Sequence, residues 1–152
     1  MFIEVSSHVG ASVAEVENAL DRVRANLEEW ADVAYREGEA LQARVGPTES
    51  LAKVVTLEIG MAEIHAYGLA YPVHWSASGA RLLFPELTAD LILSNDGRDA
   101  TKLTLRGTYQ PPMGALGRIA DRAVLGRVAE ATVRSWMDHL AEALTSENQR
   151  SV

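Results

Sequence analysis

The sequence predicts an α+β fold in which a curved antiparallel sheet packs against one long C-terminal helix. Three observations support this prediction. Apolar and polar residues alternate, which is the period of a strand, in several runs between Leu41 and Tyr109. Helical patterns precede this block, and one long helical pattern follows it. Strands that are grouped together, rather than alternating with helices, indicate an antiparallel sheet and not a parallel one.

Length and composition are those of one globular domain. The chain has 152 residues, of which 47% are apolar and 23% are charged. These fractions are typical of a folded protein and exclude a disordered or fibrous chain. We predict a single domain over residues 1–148, followed by a short disordered tail at residues 149–152.

Charge and cysteine content exclude several classes of function. A net charge of -7 argues against nucleic acid as a partner, because such binding needs clustered Lys and Arg. The chain has no Cys, which removes disulfides, thiolate nucleophiles and zinc–thiolate sites. Glu4 and Glu15 stand where a signal peptide would be apolar, and no apolar run approaches the ~18 residues of a membrane span. We therefore expect a cytoplasmic protein with no stable membrane insertion.

The N-terminal region predicts a strand followed by two short helices. The strand FIEVSSHV ends at Gly10, and Ser12 with Glu15 has the spacing of a capping box. The first helix has one apolar stripe: Val13, Val16, Leu20 and Val23. A second capping signal at Asn26 predicts a break there and a second helix that ends at Gly38.

Five further runs of period two predict the rest of the sheet: 41–45, 55–59, 69–77, 87–93 and 103–109. The segment 61–68 fits either a strand extension or a loop, so we predict six to seven strands in total. Asn95-Asp96-Gly97 is a hairpin signal, because Gly supplies the positive φ of a tight turn. Pro111 ends the last strand, since proline cannot donate to a ladder.

The terminal helix carries two apolar stripes that point in different directions. The first stripe is Leu116, Ile119, Ala120, Ala123 and Val124. The second stripe is Leu125, Val128, Val133, Trp136, Met137, Leu140 and Leu144. A straight helix on a single surface would keep one stripe. We predict a kink or break near Gly126, or a first segment that contacts something different from the second.

Alternate residues of a strand point to opposite faces of a sheet, and in these strands the alternation predicts an uncharged inner face. Every charged residue and histidine of the phased strands after Gly38 falls on the other face: Arg44, Glu58, His74, Asp90, Lys102 and Arg106. Aromatic rings with a polar tip on an apolar wall can orient a hydrophobic ligand, although such rings also serve as plain core. The ligand-lining residues that we predict are Tyr71, Trp75, Leu91, Leu103, Leu105, Tyr109, Trp136, Met137 and Leu140.

Catalytic and metal motifs are weak. Glu63 with His65, and His139 with Glu142, are pairs that lack the three convergent ligands of a catalytic zinc. The chain has no G-x-S-x-G elbow and no Cys nucleophile. We predict no catalytic residue, no metal and no cofactor.

Several strings resemble the START-like helix-grip superfamily, also called SRPBCC, in particular its small bacterial polyketide-cyclase and lipid-transport-like members. They are the S-x-x-E after the first strand, VHWSASGARLLFPELTADLIL in the sheet, and GTYQPPMGALGRIADRAVLGRVAEATVRSWMDHLAEAL at the C-terminal end. The resemblance implies an apolar cavity between sheet and terminal helix. It also implies roles such as lipid or sterol carriage, polyketide cyclisation, and co-chaperone or toxin activity. This superfamily has no universal catalytic motif, so the resemblance assigns no residue.

Three functions remain open from the sequence. The first is noncatalytic binding or carriage of a small hydrophobic, lipid-like or polyketide-like molecule. The second is a polyketide cyclase/aromatase or dehydratase, in which a tyrosine hydroxyl or His65 polarises a carbonyl while the pocket positions the chain. The third is a protein-interaction module, which uses the acidic segment 12–39 or the apolar stripe 116–124. We expect a monomer or a homodimer.

Overall fold

The computed structural model describes residues 1–27, 55–77, 86–110 and 122–151. Its strands are β1 (Phe2–Val9), β2 (Val55–Ile59), β3 (Glu63–His65), β4 (Gly68–Ala77), β5 (Glu86–Asn95) and β6 (Thr101–Gln110). Its α-helices are α1 (Val13–Val23) and α2 (Arg122–Arg150), and a 3-10 turn, Arg24–Asn26, follows α1. This is the predicted α+β architecture. The predicted second short helix and the strand at 41–45 lie outside the described residues.

The described strands form one antiparallel sheet in the order β1-β6-β5-β4-β2, with β3 also paired to β4. β2 and β3 lie one after the other along the same edge of β4. The chain is interrupted between them at Gly60, whose N–H donates to the Pro72 carbonyl at 2.8 Å. The segment 61–68, for which the sequence allowed a strand extension or a loop, therefore contains a short separate strand followed by a tight turn.

Apart from β3, whose three residues are exposed, the apolar side of each described strand faces the helices, as the alternation of apolar and polar residues predicted. Buried β5 residues such as Leu87, Leu91 and Leu93 alternate with exposed Thr88 and Asp90. The charged positions of the described strands are exposed or half-exposed: Glu58, His74, Asp90, Lys102 and Arg106. The hydrophobic core therefore lies between one face of the sheet and the two helices.

Gly107 allows β5 and β6 to approach each other closely. A Cβ at this position would overlap the carbonyl oxygen of Thr88 and the Cα of Ala89. Glycine in a strand interior is found where another backbone comes this near, as at the bends of a curved sheet. The close approach of β5 and β6 at this point therefore requires glycine at position 107.

The capping box at the start of α1 is confirmed. The Glu15 N–H donates to Ser12 Oγ at 3.4 Å, and the Ser12 backbone N–H donates to the Glu15 carboxylate at 2.8 Å. The Ser12 hydroxyl also donates to this carboxylate. Both hydrogen bonds lower the pKa of Glu15 below its usual value, and the one from the backbone N–H has the larger effect. The α-helix ends at Val23, and the change to a 3-10 turn occurs next to the predicted break at Asn26.

Polar contacts join the helices to each other and to the strands. Arg22 Nε lies 3.2 Å from a carboxylate oxygen of Glu147, which links α1 to α2. The buried Thr101 hydroxyl donates to the Ala11 carbonyl at 2.7 Å, which links the start of β6 to the approach to α1. These contacts therefore link α1 to α2 and the start of α1 to β6.

The terminal helix differs from the sequence prediction in two respects. Its backbone stays helical through Gly126, so the chain does not break there, and the predicted alternative of a kink stays a prediction. Its helical turns also include Gln149 and Arg150, which the sequence assigned to a disordered tail. The buried residues of its described face are Ala129, Thr132, Val133, Trp136, Met137, Leu140, Ala141 and Leu144. The first apolar stripe, 116–124, lies outside the described side chains, so what it contacts stays a prediction.

Replacing Gly126 by alanine is expected to stabilise the protein by about 0.5–1 kcal/mol, because Gly is a poor helix former and Ala is the best one. The added Cβ would lie 3.7 Å from the Met1 sulfur, an ordinary contact. Urea unfolding monitored by circular dichroism measures the change. A loss of stability would show that this position needs glycine, as a sharp kink would require.

Candidate functional site

The nine predicted lining residues lie in one buried hydrophobic cluster. The most exposed of them is Tyr109, with 4% of its surface accessible. The sheet contributes six members, Tyr71, Trp75, Leu91, Leu103, Leu105 and Tyr109, and α2 contributes Trp136, Met137 and Leu140. We call this set the inner cluster. The structure thus brings together residues that are up to 69 positions apart in the chain (Tyr71 to Leu140).

The register of the strands sets the inner cluster in rows across the sheet. Tyr71 on β4 stands opposite Leu91 on β5, which stands opposite Leu105 on β6. In a second row, Trp75 on β4 stands opposite Leu87 on β5, which stands opposite Tyr109 on β6. Each of these two rows therefore begins with an aromatic ring on β4 and runs toward β1.

Two tryptophans connect the sheet to the terminal helix. The rings of Trp75 and Trp136 meet edge to face, with centroids 6.1 Å apart and an interplanar angle of 88°. This geometry is one of the favoured arrangements of aromatic pairs. The Trp136 indole N–H donates to the Leu27 carbonyl at 3.3 Å, so its polar atom is satisfied within the core. The pair fixes the distance between β4 and α2.

Tyr71 stands where the inner cluster meets the charged residues of α1. Burial raises the pKa of the Tyr71 phenol, and the negative charges of Glu17 and Asp21 raise it further, while Arg24 acts in the opposite direction. The hydroxyl therefore stays protonated near neutral pH and can donate a hydrogen bond. This is the polar end of an otherwise apolar surface.

Arg24 belongs to this end of the cluster, and the sequence analysis did not select it. Its guanidinium carbon lies 5.8 Å from the centre of the Tyr71 ring. Its terminal nitrogens donate to the carbonyls of Ile59 at 3.3 Å and Gly60 at 3.5 Å. One signal was available, because Arg24 follows Val23 at the end of the buried stripe of α1. Its partners are backbone carbonyls, which no side-chain pattern reveals.

The four histidines have their partners outside the inner cluster. His65 lies 3.5 Å from the Glu63 carboxylate and stacks on the Tyr67 ring at 4.9 Å. The other three pair elsewhere: His8 with Asp96, His74 with Thr88 and Glu86, and His139 with the Ser135 carbonyl. Within the segments that the structure describes, no group of three His, Asp or Glu side chains is placed to hold a metal ion.

A cleft of about 530 Å³ lies on the opposite, outer face of the sheet. Its polar lining residues are Glu58, His74, Thr88, Asp90 and Arg106. Charged walls of this kind do not suit an apolar ligand, because such a ligand would desolvate them without pairing them. The lining of this cleft is therefore polar, whereas the inner face of the sheet is apolar.

Comparison with known proteins gives a likeness of fold. No protein-family model matches the chain, and no curated protein matches it. A hypothetical protein from Helicobacter pylori has a TM-score of 0.55 at 10% identity, over 93% of this chain and 86% of that one. The fold is helix-grip-like. At such identity the likeness concerns the fold alone.

Two other solved structures have lower scores. A protein from Thermus thermophilus has a TM-score of 0.49 at 15% identity, over 96% of this chain and 98% of that one. An aromatase/cyclase from a Streptomyces species has a TM-score of 0.44 at 13% identity, over 99% of this chain and 94% of that one.

Among the described helices of the present chain, none combines the length and apolarity needed to cross a membrane.

Proposed function

We propose that this chain binds and carries a small hydrophobic molecule between the inner face of the sheet and α2, without catalysing a reaction on it. One observation carries the proposal. The inner face of the described strands presents aliphatic and aromatic side chains, while the charged side chains of those strands point the other way. Apolar pockets with a few polar atoms are the usual sites for such ligands. Membership of the START-like superfamily is part of this proposal.

Tyr71 is the residue that we propose to orient the polar end of the ligand. Its ring lies 5.8 Å from the Arg24 guanidinium carbon, and burial and the negative charges of Glu17 and Asp21 keep its hydroxyl protonated near neutral pH. A ligand hydroxyl or carbonyl at this end would receive a hydrogen bond, while its apolar part lies along Leu91 and Leu105. Neither the Tyr71 hydroxyl nor the polar group of the ligand needs to change its charge during binding.

The enzymatic alternative is not favoured. General acid–base catalysis needs a titratable group within hydrogen-bond reach of the reacting atom. His65 was the histidine considered for this role, and it lies on the β3 hairpin with Glu63 and Tyr67 as its partners. A carrier needs no such group, which is why we prefer carriage to cyclisation or dehydration.

The test begins with native mass spectrometry of the protein purified from its own host, which would reveal a retained molecule. Binding of that molecule is then measured for two matched variants. Tyr71→Phe is expected to weaken binding roughly three- to tenfold, since it removes one hydrogen bond and keeps the ring. Tyr67→Phe removes the same hydroxyl from a half-exposed ring outside the inner cluster and is expected to change nothing.

Trp75→Ala extends the test to the apolar wall and is expected to reduce ligand uptake in the folded protein. Unchanged uptake by folded Trp75→Ala would mean that the indole is plain core. Equal binding by the Tyr71→Phe and Tyr67→Phe variants would remove Tyr71 from the site. A protein that retains no molecule, and is not stabilised against heat by fatty acids, sterols or aromatic polyketides, would contradict the carrier function, because a ligand of the folded state must stabilise it.

A further inference from the structure

The β3–β4 hairpin exposes more apolar surface than any other described segment of similar length. Ile64 is 88% exposed, Met61 is 86% exposed and Tyr67 is 50% exposed. All three lie within seven consecutive residues that contain β3 and its turn. Contiguous exposed apolar residues of this kind mark surfaces that contact another molecule.

The hairpin also has an edge that is open to pairing. β3 pairs with β4 on one side, and no strand within the described part of the chain pairs with its other side. The edge of a strand presents N–H and C=O groups that can hydrogen-bond to another strand. A strand from a second molecule could extend the sheet here by β-augmentation.

We propose that two copies of this chain associate weakly through their β3 strands, paired antiparallel about a two-fold axis at Ile64. This register places Glu63 of each copy opposite His65 of the other, twice. Each imidazole then faces a carboxylate across the interface, as it already does within one chain, where His65 Nε2 lies 3.5 Å from a Glu63 carboxylate oxygen. A parallel pairing in register would instead place Glu63 opposite Glu63. The polar side chains of β3 therefore complement each other only in the antiparallel arrangement.

The same axis accounts for the exposed apolar residues. Ile64 would meet Ile64 of the second copy on the face opposite to Glu63 and His65, as a cross-strand apolar pair. Met61 precedes Ile64 by three residues and Tyr67 follows it by three, so the axis brings Met61 of one copy toward Tyr67 of the other. Such an interface is isologous, as expected for a two-fold dimer. It is also small, so we expect a dimer that forms only at high protein concentration.

The side chains of the hairpin favour a second copy over a lipid surface as the occupant of this edge. Residues 61–67 contain one carboxylate, Glu63, and no Lys or Arg. Anionic membranes attract basic segments, and this hairpin is not one. A second copy carries the same net charge of -7 but offers one imidazole for each Glu63 carboxylate.

The test uses two variants with opposite charges at the axis. Sedimentation equilibrium of the wild-type protein is expected to show a monomer–dimer equilibrium. Ile64→Asp and Ile64→Lys are each expected to raise the dimer Kd about tenfold or more, since like charges would then face each other across the axis. An equimolar mixture of the two variants is expected to restore dimers as a heterodimer. Because Ile64 is 88% exposed, neither substitution disturbs the core.

A matched control lies on the opposite edge of the sheet. Phe2 on β1 is 71% exposed, and Phe2→Lys is expected to leave the dimer Kd unchanged. A wild-type protein that stays monomeric at millimolar concentration would overturn the proposal, whatever else binds the hairpin. A dimer that survives Ile64→Asp, or two monomeric variants that fail to pair when mixed, would also overturn it.

Discussion

Replacing Gly68 by alanine is expected to lower the free energy of unfolding by at least about 3 kcal/mol. Gly68 has a φ of 139°, a conformation that costs other residues about 1–3 kcal/mol. Its missing side chain also leaves room for the neighbouring strand, because a Cβ there would overlap the Leu93 carbonyl oxygen. Since that atom is backbone within β5, relief requires a shift of the strand and not a rotation of a side chain. Urea unfolding monitored by circular dichroism measures the loss.

Gly97 provides the matched control for this substitution. It has a φ of 105°, and a Cβ added there would meet nothing within 4 Å. Gly97→Ala therefore carries the conformational cost without the overlap, and we expect a loss of about 1–2 kcal/mol. Equal losses at the two positions would show that the close approach of Gly68 to β5 has no energetic consequence.

Replacing Trp136 by alanine is expected to destabilise the protein by about 3–5 kcal/mol, the usual range for removing a large aromatic side chain from a core. Trp136 is fully buried, contacts Trp75 edge to face, and donates its indole hydrogen to the Leu27 carbonyl. The substitution removes all three contributions and leaves a cavity between α2 and the sheet. Thermal and urea unfolding both report the change.

Two other variants separate the causes of the Trp136 effect. Trp136→Phe keeps an aromatic ring against Trp75 but loses the hydrogen bond to Leu27, so an intermediate loss is expected. Tyr67→Ala removes an aromatic ring that is half exposed, and its effect is expected to stay within about 0.5 kcal/mol. If Trp136→Ala were as mild as Tyr67→Ala, the contacts of Trp136 with Trp75 and Leu27 would contribute little to stability.

The sequence predicted most of the architecture because the decisive patterns are local. Residues two apart in a strand point to the same face, so alternation placed Tyr71 and Trp75 on the inner face and His74 on the outer one. A capping box needs only four residues, so Ser12 and Glu15 located the start of α1. The nine residues of the inner cluster are buried for the same reason, since each belongs to the apolar phase of its own element, and their role in lining a ligand stays a prediction.

The sequence was less informative about where the terminal helix changes or ends. The backbone stays helical through Gly126, so of the alternatives predicted there the break does not occur, while a kink stays a prediction. Residues 149–152 were predicted to form a disordered tail, whereas Gln149 and Arg150 continue the helix. A helix can include residues of low intrinsic propensity when the rest of its length packs on a sheet.

The sequence by itself determined which face of each element is apolar, because that property depends only on the spacing of neighbouring residues. The tertiary structure alone decided which polar groups meet at the border of the inner cluster. Arg24 reaches the Ile59 carbonyl 35 residues away, and the Trp136 indole reaches the Leu27 carbonyl 109 residues away. Their acceptors are backbone atoms, which every residue has. No pattern of side chains distinguishes them until the strands and helices are packed together.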